Sequence, residues 1–189
     1  YLRLGDAQAA EAQFIRAVKI SPDNMRVRTA MALTHLTRGD PNTAFTELQS
    51  LSSQSTDTFA DQAIVSARVK RREFDAALAA VDAMAKKDPG SAAVQELRGR
   101  VQLSRKDYVA ACEAFEQALK IDPALFVAIS NLAGIDMIEK KPDQAVKRLE
   151  AAIKADPRNQ YAHLALAEVR SRSGASAEEI KGILAEAIK

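Results

Sequence analysis

Few side chains in this chain have the types and spacing that catalysis or metal binding needs. The two histidines, His35 and His163, lie far apart in sequence. A zinc or nucleophilic site requires clustered ligands, or a histidine beside a Ser or Cys, so both read as packed structural residues. Cys112 is the single cysteine; it rules out an internal disulfide and leaves the redox compartment open. Its helical setting reads as a packed thiol rather than a nucleophile. Glu178 and Glu179 are adjacent and belong to a solvated helix face, which suggests no acid–base pair. The glycines make neither a G-x-G-x-x-G nor a Walker pattern, so no phosphate-cradling loop is expected. The sequence therefore predicts no catalytic residue, no metal and no cofactor, and points to surfaces instead.

What would position such surfaces is a repeat. Pro89, Pro123 and Pro157 stand 34 residues apart, each after an Asp. With the proline at position 32 of a 34-residue unit, position 20 is Ala111 and Ala145, position 24 is Phe115 and Leu149, and position 27 is Ala118 and Ala152. Position 8 is Gly99 and Ala133. Ala17-Val18-Lys19-Ile20-Ser21-Pro22 is an earlier copy, with Ala10 and Phe14 upstream, and a boundary without its proline falls near Thr56–Asp57. Ala44 and Ala77 take position 20 in the two units between. A period of this length is that of stacked helix–turn–helix units. Small residues at positions 8, 20 and 27 belong where helices approach closely, and Phe14, Leu48, Val81, Phe115, Leu149 and Leu184 at position 24 would fill the space between them. No unit can bury its apolar face alone.

The repeat divides the chain into a partial unit 1–24, units 25–57, 58–91, 92–125 and 126–159, and a terminal unit 160–189 with a one-residue insertion near Gly174–Ser176. Strand signals are absent and helix formers abundant, so the fold class is all-α. Asp40-Pro41, Asp122-Pro123 and Asp156-Pro157 each read as an N-cap followed by a first helical residue. Ser176 with Glu179 has the form of a capping box. Gly5, Gly39 and Gly174 fall at the turn within a unit, where a positive φ is useful.

The recurrence of Ala111, Phe115, Ala118 and Pro123 at fixed offsets resembles the tetratricopeptide (TPR) repeat family over the whole chain. The resemblance implies a right-handed TPR superhelix, an α-solenoid of about five and a half helix–turn–helix repeats. It departs from the family pattern in having no Trp. Position 4, normally bulky, is Arg28, Asp61, Gln95, Ile129 or His163, and Arg98 with Leu97 before it suggests a register shift in that unit's first helix. A narrower similarity, carried by Glu96-Leu97-Arg98-Gly99-Arg100, Ala118-Leu119-Lys120-Ile121-Asp122-Pro123, Asn131-Leu132-Ala133 and Glu139-Lys140-Lys141-Pro142, is to bacterial TPR lipoproteins of PEP-CTERM/exosortase systems. That similarity implies an envelope protein of exopolysaccharide export or protein sorting, in the periplasm or at the outer membrane; the residues themselves leave the compartment open, the cytoplasm included.

In the TPR family, particular residues of each unit's first helix line a concave face. Carried over, they give Leu33 and Leu36 in one unit, Phe59 and Val69 in the next, and Arg100 and Leu103 in the third. Val127, Asn131, Met137 and Ile138 follow, then Tyr161 and Leu164. Such a mixed, mildly apolar lining suits an extended peptide or amphipathic helix of a partner protein. The carboxylate clamp of chaperone-tail binders is missing, since position 5 is Thr29, Gln62, Glu96 and Ser130. An asparagine ladder is missing too, with Asn131 alone at position 6. Arg38, Arg71 and Arg105 share position 14 and, with Lys70, Lys106, Lys140 and Arg172, would form a basic ridge. The ridge suits an anionic polysaccharide, although cations at helix C-termini also complement the macrodipole. Aromatics do not interleave it, which argues against nucleic acid.

A net charge of +2 over 189 residues is close to neutral and does not by itself predict nucleic acid. The apolar stretches are too short to span a membrane. The chain begins at Tyr1, halfway along a first helix in the repeat numbering. It therefore reads as a piece of a longer array, whose parent could carry a lipid anchor.

Overall fold

The computed structural model describes residues 7–187, and these form eleven α-helices with no strand among them. They are α1 (Ala7–Ile20), α2 (Met25–Thr37), α3 (Pro41–Gln54), α4 (Phe59–Lys70), α5 (Phe74–Lys87), α6 (Ala92–Arg105), α7 (Tyr108–Ile121), α8 (Phe126–Ile138), α9 (Pro142–Ala155), α10 (Gln160–Arg172) and α11 (Ala177–Glu186). The even-numbered helices are each followed by an odd-numbered partner after a tight turn, giving helical hairpins. Two compact units emerge, Tyr1–Pro89 and Gly90–Lys189. Gly5 and the side chain of Ala10 lie outside what the structure describes.

The turn inside each hairpin has one geometry, set by backbone hydrogen bonding. The N–H groups of Asp40, Glu73, Asp107, Lys141 and Ala175 reach back to the carbonyls of His35, Arg68, Gln102, Asp136 and Arg170 at 2.8–3.0 Å. This is the six-to-one bond of a Schellman C-cap, which needs a left-handed residue just past the helix. Gly39 and Gly174 supply it with φ of 83° and 87°. The same place in the other three hairpins is taken by Arg72, Lys106 and Lys140, with φ of 60°, 68° and 60°. Glycine was legible there; the cationic replacements were not.

Helix starts correct part of the sequence reading. Asp40 caps α3 as expected, accepting from the Thr43 N–H at 3.1 Å with Pro41 in the first turn. Hydrogen bonds from Thr43 hold the Asp40 carboxyl below its usual range. Asp122 and Asp156, however, are C-caps of α7 and α9, and Pro123 and Pro157 lie in the turns that follow rather than at helix starts. The residue before a proline is pushed out of the helical region, so Asp-Pro ends a helix here. The carboxylates of Asp122 and Asp156 accept from the N–H groups of Ala124 and Arg158 at 3.0 and 3.1 Å, folding the chain into the next helix. The capping box at α11 forms in half: Ser176 accepts from the Glu179 N–H at 3.2 Å, while the Glu179 carboxylate lies 3.4 Å from Arg170 Nε.

Within Tyr1–Pro89 the core gathers Ala32, Phe45, Leu48, Ile64 and Ala67 from α2, α3 and α4. A polar network sits beside it. Asp61, only 1% exposed, accepts from the Ser52 hydroxyl and from Lys87 Nζ, both at 2.6 Å, and Lys87 also donates to the Ser52 carbonyl at 2.7 Å. This ties α3, α4 and α5 together where the repeat pattern expects a bulky apolar residue.

Within Gly90–Lys189, one cluster joins Ala111, Phe115 and Ala118 to Ala128, Leu132 and Ile135, and another joins Ala133, Ala145, Val146 and Leu149 to Leu166 and Val169. The alanines at position 20, namely Ala44, Ala77, Ala111 and Ala145, are completely buried. Helix α6 keeps its register, contrary to the shift expected: Val94, Gly99 and Val101 are buried at the places where α8 buries Ala128, Ala133 and Ile135. Leu97, also buried, supplies the apolar bulk that Arg98 cannot. Leu184 differs from the expectation for position 24, being 36% exposed, because α11 buries none of its described residues.

Candidate functional site

Helices α2 and α4 lie side by side and frame a groove of about 700 Å³. From α2 it is lined by Arg26, Thr29, Ala30, Leu33, Leu36 and Thr37, a spacing of three and four that places them on one helical face. From α4 it is lined by Phe59, Gln62, Ala63, Ser66, Ala67 and Lys70 on the same logic. Leu33, Leu36 and Ala63 rest on the core cluster beneath, so the floor is fixed by packing. At the end of the groove where Arg26 and Phe59 stand, α2 has a side-chain N-cap, whereas Thr58 at the N-cap of α4 makes no such bond. The Asn24 amide oxygen caps α2 by accepting from the N–H groups of Arg26 and Val27 at 3.1 and 3.2 Å. Asp57 accepts from the Phe59 N–H and fixes the start of α4.

The groove's electrostatics are one-sided. Among the described residues that line it, Arg26 and Lys70 are the only ionisable ones, and none is a carboxylate. The Arg26 guanidinium lies 5.4 Å from the centroid of the Phe59 ring, which is 37% exposed. Thr29 is 1% exposed and its Oγ1 has no hydrogen-bond partner among the described residues. Leu33, Leu36 and Phe59 are thus brought together, whereas Val69 is half-buried on α4 and outside the lining.

In Gly90–Lys189 the residues singled out from sequence divide by environment. Leu103 packs against the Phe115 cluster and Met137 against the Leu149 cluster. Val127, Ile138, Tyr161 and Leu164 are 48%, 54%, 73% and 51% exposed, which leaves them open on α8 and α10. The Asn131 amide donates to the Val127 carbonyl at 2.8 Å, and Arg100 is exposed with its Nε 3.6 Å from Glu96 Oε1. Glu96 is buried and its carboxyl is pushed up by burial, with Arg100 opposing in part.

The basic-ridge residues sit at C-terminal ends of first helices. Arg38 and Arg71 are the C-caps of α2 and α4, and Lys106 is that of α6. Lys70, Arg105 and Arg172 are the last residues of α4, α6 and α10, and Lys140 follows the C-cap of α8. Arg71 Nε donates to Glu73 at 2.7 Å, and Arg68 is bound to the same carboxylate. Hydrogen bonds from Arg68 and then Arg71 hold the Glu73 carboxyl below its usual range. Arg172 pairs with Glu168, one turn back on α10, at 2.8 Å. The Glu73 pairing was hidden in the sequence because it depends on how the hairpin turn folds back, not on helical spacing.

Groups with catalytic potential are engaged structurally. His163 Nε2 lies 3.0 Å from the Pro157 carbonyl oxygen, and His35 Nε2 is 3.5 Å from Glu47. Burial, then the carboxylates of Glu139, Asp136 and Glu116, push the Cys112 thiol up, the reverse of what activates a thiolate. Among the described residues no group of three or more His, Cys, Asp or Glu is placed to hold a metal, and no helix is long and apolar enough to cross a membrane.

Comparison with known proteins bears on this arrangement at the level of family and fold. No curated protein sequence matches the chain. Among solved structures it is similar to a thermophilic TPR protein of Thermus thermophilus, with 21% identity, 89% of this chain and 92% of the other covered, and a TM-score of 0.65. It is similar to MamA at 24% identity, with 80% and 90% covered and a TM-score of 0.57. The APC/C hetero-tetramer Cut9–Hcn1 gives 15% identity, 100% and 38% covered, and a TM-score of 0.59. At these identities the likeness is one of fold, the all-α TPR solenoid class. Tetratricopeptide repeat family models match residues 63–125 and 140–189, and a further one matches residues 1–24. With more than half its length matched in this way, the chain belongs to the tetratricopeptide repeat family.

Proposed function

We propose that this chain is a non-enzymatic scaffold for protein–protein interaction that receives a segment of a partner on the faces of its first helices. The observation that carries the reading is the α2–α4 groove, whose apolar floor is held by the core while its rim stays open. An apolar groove with a few convergent polar groups is the usual form of a peptide-docking surface. The Cut9–Hcn1 hetero-tetramer, whose fold is similar, is itself a multi-protein assembly. The basic ridge is the lesser surface for this purpose, since Arg71 and Arg172 are already paired with carboxylates.

Site-specific photo-crosslinking tests the proposal in cells that natively express the chain. A photoreactive residue at Ser66 in the groove is expected to capture a protein partner, and one at Gln117, exposed on α7, is not. Capture from Gln117 with none from Ser66 overturns the assignment.

A further inference from the structure

We infer that the α2–α4 groove selects a partner peptide segment in which large apolar side chains are flanked by carboxylates. This rests on the groove being a partner site and adds the chemistry of what enters it. Two observations converge. First, Arg26 and Lys70 are exposed and form no ion pair among the described residues, while no acidic side chain lines the groove. Asp57 and Asp88 stand with Arg26 in the adjoining recess, outside the lining, so the unpaired charge is strongest at Lys70. Cations beside an apolar floor attract carboxylates and repel a basic peptide.

Second, the two cations mark opposite ends. Arg26 stands over Phe59, the first residue of α4, and Lys70 is the last residue of that helix. Their separation along the axis is roughly 16 Å at the helical rise of about 1.5 Å per residue. That distance corresponds to about five residues of extended chain. Leu33, Leu36 and Ala63 form the apolar floor in between. The Thr29 hydroxyl, without a partner among the described residues, is closed off from solvent beneath this surface, so a docked peptide does not reach it in this structure.

The test uses the full chain and a phage-displayed library of random twelve-residue peptides. Enriched peptides are expected to combine large apolar residues with Asp or Glu on either side. A synthetic copy of an enriched peptide should lose affinity by about tenfold or more with the double variant Arg26→Glu and Lys70→Glu, and should bind more weakly at high salt. Phe59→Ala should weaken it several-fold, with circular dichroism checking that each variant is folded. Enrichment of basic peptides, or affinity unchanged by the charge reversal but lowered by Phe59→Ala, overturns the acidic preference and leaves the groove reading intact. Binding indifferent to both Phe59→Ala and Leu33→Ala overturns the two together. Failure of any peptide to enrich also overturns the inference.

Discussion

A methyl group placed on Gly99 would lie 2.6 Å from Cε1 of Phe115, whose ring is fully buried against the glycine. Other hairpins solve this approach differently, with Ala32 and Leu48, Val65 and Val81, or Ala133 and Leu149 at the same two repeat positions. A smaller residue at one position thus goes with a larger one at the other, and the α4–α5 pair is of equal size. Gly99→Ala should destabilise by roughly 1–3 kcal/mol through overpacking, outweighing the helix-propensity gain of about 1 kcal/mol. Adding Phe115→Leu to Gly99→Ala should recover much of that loss. Urea unfolding of the two single variants and the double variant measures this as a coupling energy; additive effects would contradict it.

The Asp61–Lys87 network makes a second prediction. Lys87→Met removes the cation from a carboxylate that is 1% exposed, and breaking a buried pair from one side costs about 3–5 kcal/mol. Replacing both partners, as in Asp61→Asn with Lys87→Met, should be far milder because no buried charge is stranded. Thermal unfolding of the single and double variants distinguishes the cases.

Glu96 has the opposite pH sign from Asp40 and Glu73. Its carboxyl is raised by burial, so the folded state holds the proton more tightly than the unfolded state. Its contribution is fully present below the unfolded carboxylate pKa and is lost as pH rises through the folded value. Glu96→Gln should therefore raise stability at neutral pH, with the gain fading as the medium becomes acidic. Asp40 and Glu73 are depressed, so their contributions are present above the unfolded carboxylate pKa and are lost as pH falls through the folded values. Melting curves of Glu96→Gln and the unsubstituted chain across pH give the sign directly.

The left-handed turn residues provide a fourth test. Lys106 holds a φ of 68° where Gly39 and Gly174 hold 83° and 87°. Lys106→Gly should be neutral or stabilising by up to about 1 kcal/mol, because glycine meets no Cβ penalty there. Gly39→Ala should destabilise, although no atom crowds the position, since the penalty is one of backbone conformation. Chemical denaturation of each variant gives the comparison.

Helix pairing and core were legible because Ala44, Ala77, Ala111 and Ala145 recur at one repeat position and all are buried. The proline signal was ambiguous: Pro41 begins a helix while Pro123 and Pro157 follow one. The difference lies in what precedes each proline, a glycine turn before Pro41 and a helix end before the others. The Asp61–Lys87 pair was not legible, since its partners are 26 residues apart on different helices. Thr29 could be placed at position 5 from the repeat, but its unpaired hydroxyl could not, because that is a property of packing rather than of residue type. Leu33, Leu36 and Phe59 could be named from the repeat, but their shared groove required the placement of α2 beside α4.

The account stands most directly on whether a bound peptide touches the α2–α4 floor. Methyl-labelled leucine NMR, with an enriched peptide added, reads this at Leu33 and Leu36 against the fully buried Leu48 and Leu149. The account predicts large shifts and intermolecular contacts at Leu33 and Leu36. Peptide binding that leaves both methyl sets unmoved, with the shifts falling elsewhere in the chain, would contradict it.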